Sequence, residues 1–220
     1  DALMLDERSN VFSTEAFQKG LFEVQDAASQ CVAPFTQAES GMRVIDACAG
    51  AGGKSLHLAA LMQNKGQLIA LDIHQYKLRE LKRRAKRAGA HNIETRLIDS
   101  TKVIKKLHQT ADRVLLDAPC SGLGVLRRNP DAKWKLSQEF IERILKEQQQ
   151  ILTQYAHMVK PGGKLIYVTC SILPQENEAQ IAQFLQSEIG KAFSLEKEKH
   201  FWPSVHGFDG FYMARLQRAV

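Results

Sequence analysis

The sequence predicts an α/β chain built on a doubly wound, mostly parallel sheet of seven strands. Three observations carry this expectation. From Met42 onward short apolar runs alternate with helical patterns, a glycine-rich turn joins the first run to a helix, and acidic or cysteine residues recur where runs end. Alternating strands and helices favour a parallel sheet covered on both faces. Ligands of such sheets sit beyond the carboxyl ends of the strands, so candidate site residues are sought there.

The clear strand candidates are Arg43–Asp46, Leu68–Ile73, Thr95–Ile98, Arg113–Asp117 and Leu165–Thr169, with weaker ones at Phe193–Glu196 and Phe211–Leu216. Leu78, Leu81, Ala85 and Ala88 recur at helical spacing, and Gly89 is a natural stop. Ser137–Val159 reads as a longer helix with Ile141, Ile144, Gln148, Leu152 and Tyr155 along one side. Pro174 stands where a helix can begin, ahead of Ile181 and Phe184. Gln18–Thr36 reads as a strap and helix leading into the first strand, and Ser121–Trp134 as a polar, basic loop. The expected organisation is a lead-in over residues 1–24 and one domain over 25–220. Because the chain starts at Asp1 rather than Met, the lead-in is expected to be the end of a longer upstream region.

At 220 residues and 44% hydrophobic, the chain is long enough to bury a sizeable core. It has no apolar run near the roughly 18 residues that cross a bilayer and no signal-peptide pattern, so a soluble, cytoplasmic protein without a membrane partner is expected. The formal net charge of +6 fits a polyanionic partner, since Lys and Arg contacts to phosphate supply most non-specific nucleic-acid affinity. The four cysteines, Cys31, Cys48, Cys120 and Cys170, form neither a C-x-x-C pair nor a zinc-spaced cluster. Free thiols and no metal are expected. Oligomeric state is not legible.

Val44-Ile45-Asp46 runs into Ala47-Cys48-Ala49-Gly50-Ala51-Gly52-Gly53-Lys54-Ser55, and an apolar helix follows. Such a turn lets a ligand approach the backbone and presents free N–H groups. A phosphate-binding P-loop needs a glycine where Cys48 stands, and a dinucleotide fingerprint starting at Gly50 would put its third glycine on Ser55; both patterns are broken. A third reading is the nucleoside turn of an S-adenosylmethionine methyltransferase, with Asp46 ordering the turn or meeting the ligand's ammonium group, and a plain tight turn stays open beside it. Asp72, ending the second strand, can accept the ribose hydroxyls. Asp99, beyond the third, can meet the adenine amino group. Either is equally able to serve as a helix cap.

Cys120 and Cys170 both fall at strand ends on the ligand side, after Asp117-Ala118-Pro119 and after Thr169. A free cysteine is most often a small buried hydrophobe, which is the expected role of Cys31 and Cys48. At a strand end a thiol has a chemical use. Carbon-5 of a pyrimidine is a poor nucleophile, and a thiolate adding at carbon-6 converts the ring to an enamine that can attack a methyl sulfonium. Asp117 is placed to contact the N3 edge of such a ring.

Several blocks resemble the Sun/Fmu-type family of RNA cytosine-C5 methyltransferases, related to the eukaryotic nucleolar Nol/Nop proteins. They are Val24–Gln30, the turn Asp46–Ser55, Asp117–Trp134, Thr169–Asn177 and Gly210–Leu216, which together run from about Gly20 to the C-terminus. The resemblance implies a Rossmann-like, S-adenosylmethionine-dependent methyltransferase domain acting on RNA, with ribosomal RNA of the small subunit (16S) as the expected substrate and transfer RNA as the alternative. It implies that Cys170 attacks the base and that Cys120 assists release of the product. It also implies that the cofactor is held by Cys48, Ala49, Gly50, Ala51, Gly52, Gly53 and Lys54, with Asp72, Asp99 and Asp117. Where the family usually has an arginine after the second strand, this chain has Lys77. The family turn usually reads Cys-Ala-Ala-Pro-Gly-Gly-Lys, and here Gly50 and Ala51 occupy the Ala-Pro places, which is expected to loosen it. The family often carries a separate RNA-binding region ahead of the catalytic domain.

Beyond Cys120, Arg127, Arg128 and Lys133 can meet phosphates and Trp134 can stack on a base, or can anchor the loop to the core. The target cytosine must be unstacked to be reached. Three rivals stay open at this stage: a DNA cytosine-C5 methyltransferase would use Cys120 as its nucleophile, an N-methyltransferase acting on an exocyclic amine would need no thiol, and neither would a non-catalytic RNA- or cofactor-binding module.

Overall fold

In the computed structural model, residues 2–5, 7 and 9–220 are described; Asp1, Asp6 and Arg8 lie outside that description. The seven strands form one sheet in the order β3-β2-β1-β4-β5-β7-β6. They are β1 (Arg43–Asp46), β2 (Gln67–Asp72), β3 (Ile93–Leu97), β4 (Ala111–Asp117), β5 (Val159–Thr169), β6 (Phe193–Phe201) and β7 (Phe211–Arg218). β1 to β5 pair in parallel, and β7 inserts antiparallel between β5 and β6. The longer helices are α1 (Gly53–Leu61), α2 (Gln75–Arg87), α3 (Thr101–Lys105), α4 (Gln138–Ala156) and α5 (Glu178–Gln186).

Successive strand residues face opposite sides, and the core divides accordingly. Ile45, Ile69, Val114 and Leu116 pack with Ile104, Leu152, Tyr155 and Phe184 from α3, α4 and α5. Val44, Leu68, Leu115 and Ile166 pack with Val32, Phe35, Leu58 and Met62 on the other face. The central strands are therefore apolar on both sides, as expected of a buried parallel sheet.

The differences from the sequence expectations have local causes. The long helix stops at Ala156, and Val159 already belongs to β5. β5 begins earlier than its apolar run because a register shift between Ala111 and Arg113 accommodates Lys160–Gly163, where Pro161 offers no N–H and Gly162 has φ +71°. Pro174 opens a single 3₁₀ turn, Pro174–Glu176, and α5 starts only at Glu178. The basic loop holds two 3₁₀ turns, Leu123–Val125 and Pro130–Lys135. The lead-in docks on α2: Glu23 meets Arg84 at 2.9 Å and also Arg87, whose guanidinium lies 3.8 Å from the Phe17 ring centre.

The turn after β1 is pinned at several points. Gly50 N–H donates to Asp72 Oδ2 (2.9 Å), Gly52 N–H to the Ala49 carbonyl (2.9 Å), and Arg84 Nη1 to the Ala51 carbonyl (2.9 Å). Arg84 thus supplies a tether where the family's proline is missing. Gly52 has φ +89°, and a Cβ there would lie 2.5 Å from Leu81 Cγ. Gly52→Ala is expected to destabilise the protein by about 1–3 kcal/mol, read as a lowered urea midpoint, with Gly53→Ala costing less.

Candidate active site

The carboxyl ends of β4 and β5 are neighbours, with Asp117 paired to Val168 in register. Cys120 follows the first strand and Cys170 the second, and their Sγ atoms are 3.4 Å apart. Gly124 locks this arrangement: its N–H donates to the Cys170 carbonyl (2.9 Å), and its own carbonyl accepts from Gly210 N–H (2.8 Å). A Cβ on Gly124 would strike the Gly210 carbonyl oxygen at 2.1 Å, so only glycine fits.

Cys170 faces a cleft of about 320 Å³ that it shares with Lys54, Asp117, Asp26, Arg128 and Phe211. Lys54 Nζ donates to Asp117 Oδ2 at 2.6 Å and lies 5.5 Å from the Phe211 ring centre. The lysine is thus bound to a carboxylate of the cleft rather than lying free on the surface. A second cleft of about 490 Å³ adjoins the first through Asp26 and Arg128 and is completed by Arg127, Phe208 and Asp209.

The two thiols differ electrostatically. The bond from Cys120 holds the Cys170 thiol below its ordinary value; burial and Asp117 oppose this, and Lys54 assists it. The same bond, then burial, Cys170's charge and Glu176, drive Cys120 well above its ordinary value. Cys120 therefore keeps its proton and donates, while Cys170 is the readier thiolate. Burial, with Asp117, Asp46 and Asp72 nearby, also pushes the Cys48 thiol well up.

The other predicted positions fall at graded distances from this centre. Asp72 is buried, and both its oxygens accept main-chain N–H groups, from Gly50 and from His74 (2.7 Å). Asp46 is buried and accepts from Ser55 Oγ at 2.6 Å, so it orders the turn. Lys77 lies in the first turn of α2, half-buried, and Asp99 is exposed, accepting from Ser100. Neither Lys77 nor Asp99 lines the thiol cleft. Arg127 donates to the Gly207 carbonyl (3.1 Å), and Arg128 pairs with the nearly buried Asp209. Trp134 is 78% exposed, with Lys133 Nζ 4.7 Å from its ring centre, so it is no anchor to the core. Among the described residues no cluster could hold a metal ion, and no helix is long and apolar enough to cross a membrane.

Sequence reasoning gave no role to Gln25, Asp26 or Ser29, which line the cleft from the N-terminal side, or to Phe211. Nor did it single out Glu176, a buried carboxylate that joins the two cysteine loops. Its only signal was its place in the Pro-Gln-Glu-Asn run after Cys170.

Fold and site together define a Rossmann-like methyltransferase domain carrying two thiols at adjacent strand ends. The family described as "16S rRNA methyltransferase RsmB/F" matches residues 34–217, and the chain belongs to that family. It is 38% identical over 232 residues to ribosomal RNA small subunit methyltransferase B of Shewanella oneidensis, covering 100% of this chain and 53% of the relative. It is 35% identical to ribosomal RNA small subunit methyltransferase F of Aeromonas hydrophila, covering 97% of this chain and 49% of the relative. The crystal structure of NSun6 from Pyrococcus horikoshii with SFG superposes with a TM-score of 0.87 at 29% identity, covering 97% of this chain and 57% of that one. The chain spans about half the length of the curated relatives it matches.

Asp46 supplies a pH test. Burial, with Asp117 adding to it, raises its pKa from an ordinary 3.8 to about 7, against the lowering bond from Ser55. Between those values the folded state holds more protons than the unfolded chain. The contribution to stability is therefore full below about pH 4 and declines as pH rises through about 7, by up to about 4 kcal/mol for a shift of this size. Urea midpoints of the wild type are expected to fall, relative to Asp46→Asn, between about pH 4 and pH 8; parallel profiles would contradict this assignment.

Proposed function

We propose that residues 25–220 form the catalytic domain of an enzyme that methylates carbon-5 of a cytosine in 16S ribosomal RNA, with S-adenosylmethionine as methyl donor and Cys170 as nucleophile. On this reading residues 1–24 are a lead-in, the target cytosine enters unstacked, and the enzyme acts in the cytoplasm where ribosomal RNA is found. The observation that carries the reading is the pair of thiols 3.4 Å apart, with Cys170 open to the cleft beside Lys54 and Asp117.

The turn fits a nucleoside-type donor. A Cβ at Gly50 would meet nothing within 4 Å, so the backbone there faces open space, and Asp46 Oδ1 is buried without a hydrogen-bond partner. Cys48 to Lys54 and Asp72 would hold the donor, with Lys77 and Asp99 at its margin. When bound, S-adenosylmethionine supplies an electrophilic methyl group.

The chain's own residues supply the rest. The Cys170 thiolate bonds to carbon-6, and the electrons of the 5,6 double bond move toward N3, leaving an enamine whose carbon-5 is nucleophilic. Asp117 meets the N3 edge, and Lys54, hydrogen-bonded to it, fixes its orientation. After carbon-5 has taken the methyl group, loss of its proton to a base restores the double bond and expels the Cys170 sulfur. Cys120, 3.4 Å from that sulfur, keeps its proton and donates a hydrogen bond that stabilises the departing thiolate. Arg127 and Lys133 meet phosphates, Arg128 does so from its Asp209 pair, and Trp134 offers a stacking face.

Labelled methyl transfer to 16S ribosomal RNA, followed by mapping of 5-methylcytosine, tests the reading. Cys170→Ser is expected to abolish transfer, and Cys120→Ser to accumulate a covalent protein–RNA species. Loss of adduct in Cys120→Ser alone would instead favour the rival chemistry. Arg127→Ala and Lys133→Ala are each expected to weaken RNA binding evenly across sequences and to reduce the slope of log K against log salt by about 1.

A further inference from the structure

We propose that Glu176 is the positioning residue that clamps the two cysteine loops together and determines which of the two thiols is the nucleophile. The inference rests on Cys170 being the attacking thiol. Glu176 is 0% exposed on the 3₁₀ turn after β5. Its Oε1 accepts from Ser121 N–H (2.7 Å) and Gln148 Nε2 (3.0 Å), and its Oε2 from Ser121 Oγ (2.5 Å) and from Ser171 Oγ. Ser121 directly follows Cys120, and Ser171 directly follows Cys170. One carboxylate therefore grips the residue after each thiol, across 55 residues of sequence on one side and five on the other.

The four contacts come from one main-chain N–H, one amide and two hydroxyls, none of them charged, a set that can serve the lone pairs of a carboxylate. A buried charge without a cation is costly unless fully hydrogen-bonded, and here every oxygen is served. The surrounding groups hold the clamp itself in place. Tyr167 O–H donates to the Glu176 carbonyl (2.8 Å), and Gln148 Nε2 also reaches the Pro119 carbonyl (2.9 Å). Thr169 Oγ1 donates to Asn177 Oδ1 (2.5 Å), whose Nδ2 donates to the Ser171 carbonyl (3.1 Å).

The carboxylate is also placed asymmetrically: two bonds, one of them from a main-chain N–H, reach it from the residue after Cys120, and one hydroxyl bond from the residue after Cys170. Glu176 is among the groups that disfavour a thiolate on Cys120, whereas Lys54 favours one on Cys170. The titratable and charged groups facing the pair are Lys54 from α1, Asp117 from β4, Tyr167 from β5, Asp26 and Arg128 across the cleft, and Glu176 itself. Of these, Glu176 alone is hydrogen-bonded to the residue that follows each cysteine. It keeps the proton on Cys120, so that Cys120 donates and Cys170 attacks.

The test needs no RNA. The wild-type protein is treated with iodoacetamide, and the alkylation rates of Cys170 and Cys120 are followed by peptide mass spectrometry. Cys170 is expected to react faster. Glu176→Gln, nearly isosteric but neutral, is expected to lower the Cys170:Cys120 rate ratio by about tenfold, while Glu176→Asp retains most of it. In methyl transfer, Glu176→Gln is expected to lower kcat with KM for RNA unchanged. An unaltered ratio in Glu176→Gln, or equal loss in Glu176→Asp, overturns the proposal. Should Glu176→Gln fail to fold, Ser121→Ala decides: it frees the Cys120 loop and is expected to speed Cys120 labelling severalfold with Cys170 unchanged, and no change at Cys120 overturns the proposal. Faster labelling of Cys120 in the wild type would overturn the assignment of Cys170 instead.

Discussion

The site depends on one constraint: two adjacent parallel strands, β4 and β5, end level with each other and deliver a thiol apiece to the same point. Parallel pairing in fixed register aligns the strand ends, and the loops beyond them have only to close a few ångströms. Gly124, in the loop after β4, permits that approach because a side chain there would strike the carbonyls of Gly210 and Cys170, and Gly210, just before β7, packs against both loops. Everything chemical follows from the resulting contact. Two thiols at 3.4 Å share a hydrogen bond, and that bond above all makes the pair unequal, holding Cys170 below its ordinary value and driving Cys120 above, with Lys54 assisting the first effect and Glu176 the second.

The turn after β1, the proposed cofactor side, rests on a second construction. The turn after β1 gains little from regular secondary structure, yet its main chain is tied to Asp72 on β2 and to Arg84 on α2, and Asp46 ties β1 to Ser55 on α1. Asp46 therefore serves the turn's shape before any ligand arrives. Asp72 likewise splits its carboxylate between two main-chain donors, each oxygen retaining a lone pair. Such preorganisation lowers the ordering that binding would otherwise require.

Much of this was legible from residue order because the central strands are buried on both faces and read as unbroken apolar runs. β6 was visible only in part, since Leu195–His200 is an exposed, charged edge segment whose pairing to β7 owes nothing to apolar alternation. The end of α4 was overrun because Met158 and Val159 continue an apolar pattern and no glycine marks the stop. The cysteines, Asp72, Asp117 and Lys54 were legible as strand-end or turn residues. The clamp at Glu176 was not: its partners Ser121, Gln148 and Ser171 come together only when α4 packs beside both loops. Gln25–Ser29 stood out only as part of a resembling block, and its place on the cleft wall was not legible, because a short helix and its Asp26 cap carry no chemical signature of their own.

The most direct measurement of the central claim is a trapping experiment with RNA carrying 5-fluorocytosine at the target position, S-adenosylmethionine present, and the crosslinked peptide mapped by mass spectrometry. Fluorine at carbon-5 cannot leave as a proton does, so the adduct persists on whichever sulfur attacked. The account predicts that the RNA is found on Cys170. Attachment at Cys120, or transfer of methyl to RNA with no sulfur ever bonded, would contradict it.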